Sequence, residues 1–110
     1  KNRLKNQYYF KENSRTLEDA LLEIINICNS NQITIIGVKF PLTKEYYEVA
    51  KKETFGVDSI FKVNNLKVLD FQPLYINNGA LFYDADHLNS KGGELFSNDF
   101  FKGLQTILND

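Results

Sequence analysis

The sequence has no tryptophan, no methionine, two prolines, one cysteine and one histidine. The lone cysteine, Cys28, excludes an internal disulfide and any zinc site built from several cysteines. It falls on the apolar face of a helical pattern, where a thiol reads as a small core side chain. No apolar run approaches the roughly 18 residues of a membrane span, so no direct membrane insertion is expected of this segment, and no signal peptide is visible. Thirteen basic residues face 14 acidic ones, for a formal net charge of −1. Without a strong positive field, nucleic acid is not an expected partner. Internal repeats and low-complexity tracts are absent as well. The chain begins with Lys1 rather than Met and is expected to be a piece of a longer protein.

What is present is bulky core material. Hydrophobic residues make up 43 % of the chain, with nine Phe and six Tyr. The 110 residues are an ordinary length for a single domain, and that length limits the size of the core. Lys1 to Asn13 is polar around Tyr8, Tyr9 and Phe10 and reads as a linker or a pinned loop. Thr16 then offers a helix cap with Asp19 at the reciprocal position. Leu17, Leu21, Ile24, Ile25 and Cys28 recur at helical spacing, which predicts a helix over about 16–30, ended by Asn29, Ser30 and Asn31. Ile33 to Val38 is short, β-branched and apolar on both faces, the pattern of a buried parallel strand. Pro41 ends it. Thr43 can cap a second helix running to about Thr54, Gly56 breaks that helix, and Asp58 to Val63 can add a further turn or two. Leu66 to Asp70 is a second short strand. A long loop through Pro73 and Asn77-Asn78-Gly79 follows. The last helix is predicted over about 90–108, on Leu95, Phe96, Phe100, Leu104, Ile107 and Leu108.

Alternation of this kind predicts α/β layers around a parallel sheet. Two strands make a poor sheet, and strands buried on both faces normally belong to a larger one. The expectation is therefore a single α/β domain over residues 1–110 that forms the later portion of a partial doubly wound, flavodoxin-like parallel sheet, with its first strands upstream.

The only histidine stands in FYDADHLNSKGGELFSNDF, three residues after Asp84 and just before the last helix. Such a separation in a turn can bring the carboxylate against the imidazole. An aspartate bonded to one ring nitrogen fixes the tautomer and leaves the other nitrogen as a general base. In open α/β sheets the loops beyond the strands' carboxyl ends carry the ligand site, and this loop follows Leu66–Asp70. Asp-x-x-His also arises by chance, and the plain alternative has His87 filling a surface turn.

The surroundings add to the pair. Phe82, Asp84, His87, Leu88, Asn89, Gly92, Gly93, Phe96 and Ser97 together resemble the last block of the SGNH hydrolases, the GDSL-like esterases and their acyltransferase relatives, as it often reads in bacterial members. The upstream helix, strand with proline, and Tyr-rich helix (EIINICNSNQITIIGVKFPLTKEYYEV) look like the segment that precedes that block. The resemblance spans most of the chain, and its specific part is the final block. It implies an SGNH-type fold and a Ser-His-Asp triad acting on acyl esters, with glycan-linked or cell-envelope substrates and an extracytoplasmic or membrane-tethered parent. His87 would be the base and then the acid, and Asp84 its orienter. Ser90 and Asn89 both read as caps of the last helix, with Asn89 also holding the loop or touching the site. The family's Gly-Asp-Ser block and oxyanion-hole residues have no counterpart here. Ser14, Ser30, Ser59, Ser90 and Ser97 lack a nucleophile-elbow context. The base is present without its nucleophile, and the segment alone is expected to be catalytically silent.

Other constellations carry less. Gly92-Gly93 lacks the rest of any phosphate-binding motif and reads as close packing. Asp84, Asp86 and His87 make a poor zinc set; an oxygen-ligand calcium loop stays open, although the spacing fits no EF-hand, and the expectation is no metal and no cofactor. Tyr46 and Tyr47 read as partial core rather than substrate pocket, and Lys51-Lys52-Glu53 as a solvated face. A second functional class remains open. A non-catalytic α/β interaction module would self-associate or bind a partner through the exposed edge of its sheet.

Overall fold

A computed structural model describes residues 15–52 and 56–109. The predicted linker at 1–13, and the helix end assigned to Thr54, lie outside the described residues. The architecture is mixed α/β. In chain order it runs α1 (Arg15–Ser30), β1 (Ile36–Lys39), α2 (Lys44–Ala50), α3 (Val57–Val63), β2 (Lys67–Asp70), a 3₁₀ turn (Gly79–Leu81), β3 (Phe82–Asp84), β4 (His87–Leu88) and α4 (Ser90–Leu108). Among the described residues the strands form two small sheets, β1 with β2 and β3 with β4. The chain divides into two units, residues 1–37 with 50–68, and residues 38–49 with 69–110.

In the first unit, α1 buries Ile25 completely, while Leu21 and Cys28 on the same face are half-buried. Leu17, predicted for that face, is 71 % exposed, and Ile24 is also exposed. Helical periodicity identifies an apolar stripe but not how much of it is covered. Thr16 sits inside the first turn of α1, which starts at Arg15, and so is not its cap. The C-terminus closes as the sequence suggests. Asn31 donates its side-chain amide to the Ile27 carbonyl at 2.8 Å, and Gln32 takes the left-handed conformation at φ 57°. Gly56, at φ 82°, admits the chain into α3, a conformation that suits a residue without Cβ. Asn64 closes α3 by donating to the Ile60 carbonyl at 2.8 Å. The buried Phe61 ring of α3 lies so near Gly37 of β1 that an added Cβ would come within 2.7 Å of its Cε2.

β1 is shorter and wetter than expected, and β2 starts at Lys67 rather than Leu66. β1 starts at Ile36, Ile33 is exposed, and every residue of β1 is only half-buried. β2 is exposed at Lys67, Val68 and Asp70. A short β-branched apolar run establishes extended conformation; full burial also needs layers on both faces. Beyond the strands the two segments advance in the same direction. Phe71 N–H donates to the Lys39 carbonyl at 2.9 Å, and Leu42 N–H to the Gln72 carbonyl at 3.0 Å. That order of pairing is the parallel one.

The second unit is built on aromatic rings. Phe71 meets Phe96 edge-on at 5.1 Å, and Phe40 and Phe100 flank Phe96 at 5.4 and 5.9 Å. Such tilted and edge-to-face pairs add to the area they bury. Pro41, Leu42, Tyr46 and Leu81 complete the core. Tyr46 is 1 % exposed, so the first of the two tyrosines is core, as read. The 71–78 loop is tied to α4 by Tyr75, whose hydroxyl donates to Asp99 Oδ2 at 2.5 Å. Burial first, and the Asp99 acceptor and its charge second, push the Tyr75 phenol well above its ordinary value of 10.0. The folded state thus holds this proton more tightly than the unfolded one. The resulting stabilisation is complete below about pH 10 and is lost as pH rises past that value towards the folded pKa. Tyr75→Phe is expected to lower stability by about 1 kcal/mol at neutral pH. Urea midpoints measured from pH 8 to 11 should converge for the two proteins at the alkaline end; a constant gap would sink this account.

Candidate active site at the Asp84–His87 turn

Residues 82–89, expected as a loop, form a tight hairpin instead. β3 and β4 pair antiparallel with Phe82 opposite Leu88, Asp84 opposite His87, and a bulge between Phe82 and Asp84. Strands of three and two residues are too short to leave an alternating pattern in sequence. The hairpin puts Asp84 and His87 at paired positions across its turn.

The turn is held from three sides. Asp84 Oδ1 accepts from the backbone N–H of Asp86 at 3.2 Å, an aspartate turn closing on itself. Ala85, at the tip, presents its carbonyl to Thr43, which donates both its N–H, at 3.1 Å, and its hydroxyl, at 3.0 Å. Thr43 Oγ1 also accepts from Tyr46 N–H at 3.4 Å, so the predicted cap of α2 is the residue that grips the turn. On the far side Asn89 caps α4 by accepting from Gly92 N–H at 2.9 Å. It donates its side-chain amide to the Ala80 carbonyl at 2.7 Å and its backbone N–H to the Leu81 carbonyl at 2.9 Å. Asn89 therefore has the capping and loop-holding role expected of it. Ser90 does not cap; it is the first residue of α4. Either type suits the cap, and the non-local bonds to residues 80 and 81 select Asn89.

The predicted pair is formed. His87 Nδ1 lies 2.8 Å from Asp84 Oδ1. Opposite an ionised carboxylate a neutral imidazole places its proton on Nδ1, which leaves the lone pair on Nε2. The His87 side chain is 61 % exposed and that of Asp84 38 %, so the ring is neither sealed into the core nor without support. A second carboxylate, which sequence reading weighed only as a metal ligand, shares the same nitrogen: Asp86 Oδ1 lies 3.0 Å from Nδ1, on a side chain only 15 % exposed.

His87 borders a cleft of about 380 Å³ walled mainly by Phe40, Pro41, Leu88 and Phe96, with Ser97 and Asp86 as polar neighbours. The size and lining are those of a pocket for a small ligand with an apolar body. Phe40 and Pro41 follow β1, more than forty residues before His87, and no local pattern announces that they share its cleft. Ser97 lines it about two turns into α4, but its hydroxyl donates to the Gly93 carbonyl at 2.9 Å. Among the described residues no serine hydroxyl hydrogen-bonds to His87. Neither Tyr46 nor Tyr47 lines the cleft. One ligand atom from each of Asp84, Asp86 and His87 lies within 4.8 Å of the others, close enough to gather round a cation. His87 Nδ1, the ring nitrogen beside both carboxylates, is already bonded to Asp84. Comparisons with protein-family models, with characterised proteins and with solved structures find no match. Among the described residues no helix is long and apolar enough to cross a membrane.

Proposed function

We propose that this chain supplies the Asp-His part of a Ser-His-Asp triad to an SGNH-like serine esterase or O-acyltransferase. The observation that carries the proposal is the 2.8 Å contact between His87 Nδ1 and Asp84 Oδ1, made by a ring on the border of an apolar cleft. His87 takes the proton from an attacking hydroxyl and returns it to the leaving alkoxide, while Asp84 holds the tautomer and stabilises the imidazolium. The serine and the oxyanion donors come from another segment, which also contributes the strands that extend β1 and β2 into a doubly wound sheet. The walls of Phe40, Pro41 and Phe96 suit the acyl portion of an ester, and the alcohol portion is a glycan or envelope component outside the cytoplasm. Fluorophosphonates bond covalently to activated serines. The polypeptide that joins this segment to its upstream partner should take up one label and hydrolyse p-nitrophenyl acetate, and the 110-residue chain alone should do neither. A joined polypeptide that takes no label and turns over no ester defeats the proposal.

A second reading rests on the exposure of β2 at Lys67, Val68 and Asp70 within a two-stranded sheet. Such edges pair readily with another strand. If the chain is an interaction module, it should sediment as a concentration-dependent dimer, and a proline at Val68 should leave it monomeric. A wild-type chain that stays monomeric at high micromolar concentration removes self-pairing.

A further inference from the structure

Asp86 is the unassigned group nearest the reacting ring. We propose that it is a second orienting carboxylate for His87, a positioning residue that shares the Nδ1 proton with Asp84 and holds it when Asp84 is lost. The catalytic consequence rests on reading His87 as a base; the orienting role does not. Three observations support it. The two carboxylate oxygens stand at nearly equal range from one nitrogen, Asp84 Oδ1 at 2.8 Å and Asp86 Oδ1 at 3.0 Å. Among the described residues Asp84 holds the ring by a hydrogen bond, and Asp86 acts on the same nitrogen through its charge. Asp86 is also the less exposed of the two, at 15 % against 38 %, and a charge contact is screened less as water is removed. Its backbone is fixed by the Asp84 Oδ1 bond to its N–H and by the Thr43 grip on the preceding carbonyl, so it does not need to be recruited from solvent.

The same turn sets the rank of the pair. Asp84 both holds the ring and fixes the Asp86 backbone, so its loss weakens two restraints. The loss of Asp86 leaves the stronger bond intact. Graded effects are expected, with the double substitution much worse than either single one, as for groups that serve one function in parallel.

Because His87 is the only histidine, the imidazole nitrogen NMR spectrum of the 110-residue chain reports this ring alone. At a pH where the ring is neutral, the wild type should show the proton on Nδ1. Asp86→Ala should keep that tautomer. Asp84→Ser, whose hydroxyl can still close the turn onto residue 86, should keep it predominantly through Asp86. Asp84→Ser with Asp86→Ala should lose the preference, and Asp84→Ser with Asp86→Glu should regain part of it. Backbone amide spectra identify any variant that fails to fold, and Asp84→Asn then replaces Asp84→Ser. If Asp84→Ser alone loses the preference as fully as the double variant, Asp86 is no orienter. None of these readouts needs a serine nucleophile, so failure of the esterase proposal would leave them unaffected.

Discussion

Alanine in place of His87 is expected to lower ester turnover by the joined polypeptide about 10⁴-fold or more, equivalent to about 5 kcal/mol of barrier, and to abolish fluorophosphonate labelling. The size follows from what the ring does. A serine hydroxyl is a weak nucleophile until a neighbouring base takes its proton, and the same imidazole must return that proton to the leaving group. Among the described residues this chain offers no alternative base of the right kind: His87 is its one histidine. Removing Asp84 alone should cost less, because the base remains and Asp86 lies 3.0 Å from the same nitrogen. In a well-studied serine protease the orienting aspartate is about two orders of magnitude less critical than the base, and a second carboxylate should widen that gap. Rates of labelling and of p-nitrophenyl acetate hydrolysis, measured on His87→Ala and Asp84→Ala, check both statements. Full labelling of His87→Ala would remove this residue from the chemistry. A gap no wider than about two orders of magnitude between the two variants would mean that Asp86 does not help.

The parts of the molecule legible in the sequence are those fixed by local chemistry. α4 runs over Ser90–Leu108, almost as its apolar spacing predicts, and α1 ends where Asn29, Ser30 and Asn31 stand. Asp84 and His87 could be paired on paper because three residues in a turn bring their side chains together whatever the rest of the chain does. Thr43 was legible as a cap for the same reason. Its second role was not: Ala85 lies 42 positions away, and only the folded chain delivers that carbonyl. Phe40 and Pro41 reach the cleft by the same long-range route. Asp86 is legible in the sequence as a carboxylate near His87 but not as its orienter, because the Asp-x-x-His motif counts it as a spacer and its contact with Nδ1 depends on the hairpin. The partial exposure of β1 is not legible because a run such as ITIIGV reports conformation, whereas burial depends on the layers around it.

The largest stability effect should come from Gly92. A Cβ added there would lie 2.2 Å from the Leu81 carbonyl oxygen and 2.9 Å from Leu88 Cδ2. The first neighbour is backbone, which cannot swing aside as the tip of a side chain can. Leu81 is buried, and its carbonyl is held by Asn89 N–H at 2.9 Å. Asn89 in turn caps Gly92 and holds Ala80. Relief of the clash therefore requires the start of α4 to move off the 3₁₀ turn, and this breaks the cap cluster that frames His87. Gly92→Ala is expected to destabilise the chain by about 3 kcal/mol or more, the upper range for overpacking, although alanine is intrinsically the better helix former. Its neighbour separates the two effects. A Cβ on Gly93 would meet nothing within 4 Å, so Gly93→Ala should show propensity alone and stabilise α4 by about 1 kcal/mol. Urea unfolding followed by helical circular dichroism should move the two midpoints in opposite directions. Stabilisation by both substitutions would mean that α4 does not press on Leu81, and that the Asp84–His87 turn is not braced from that side.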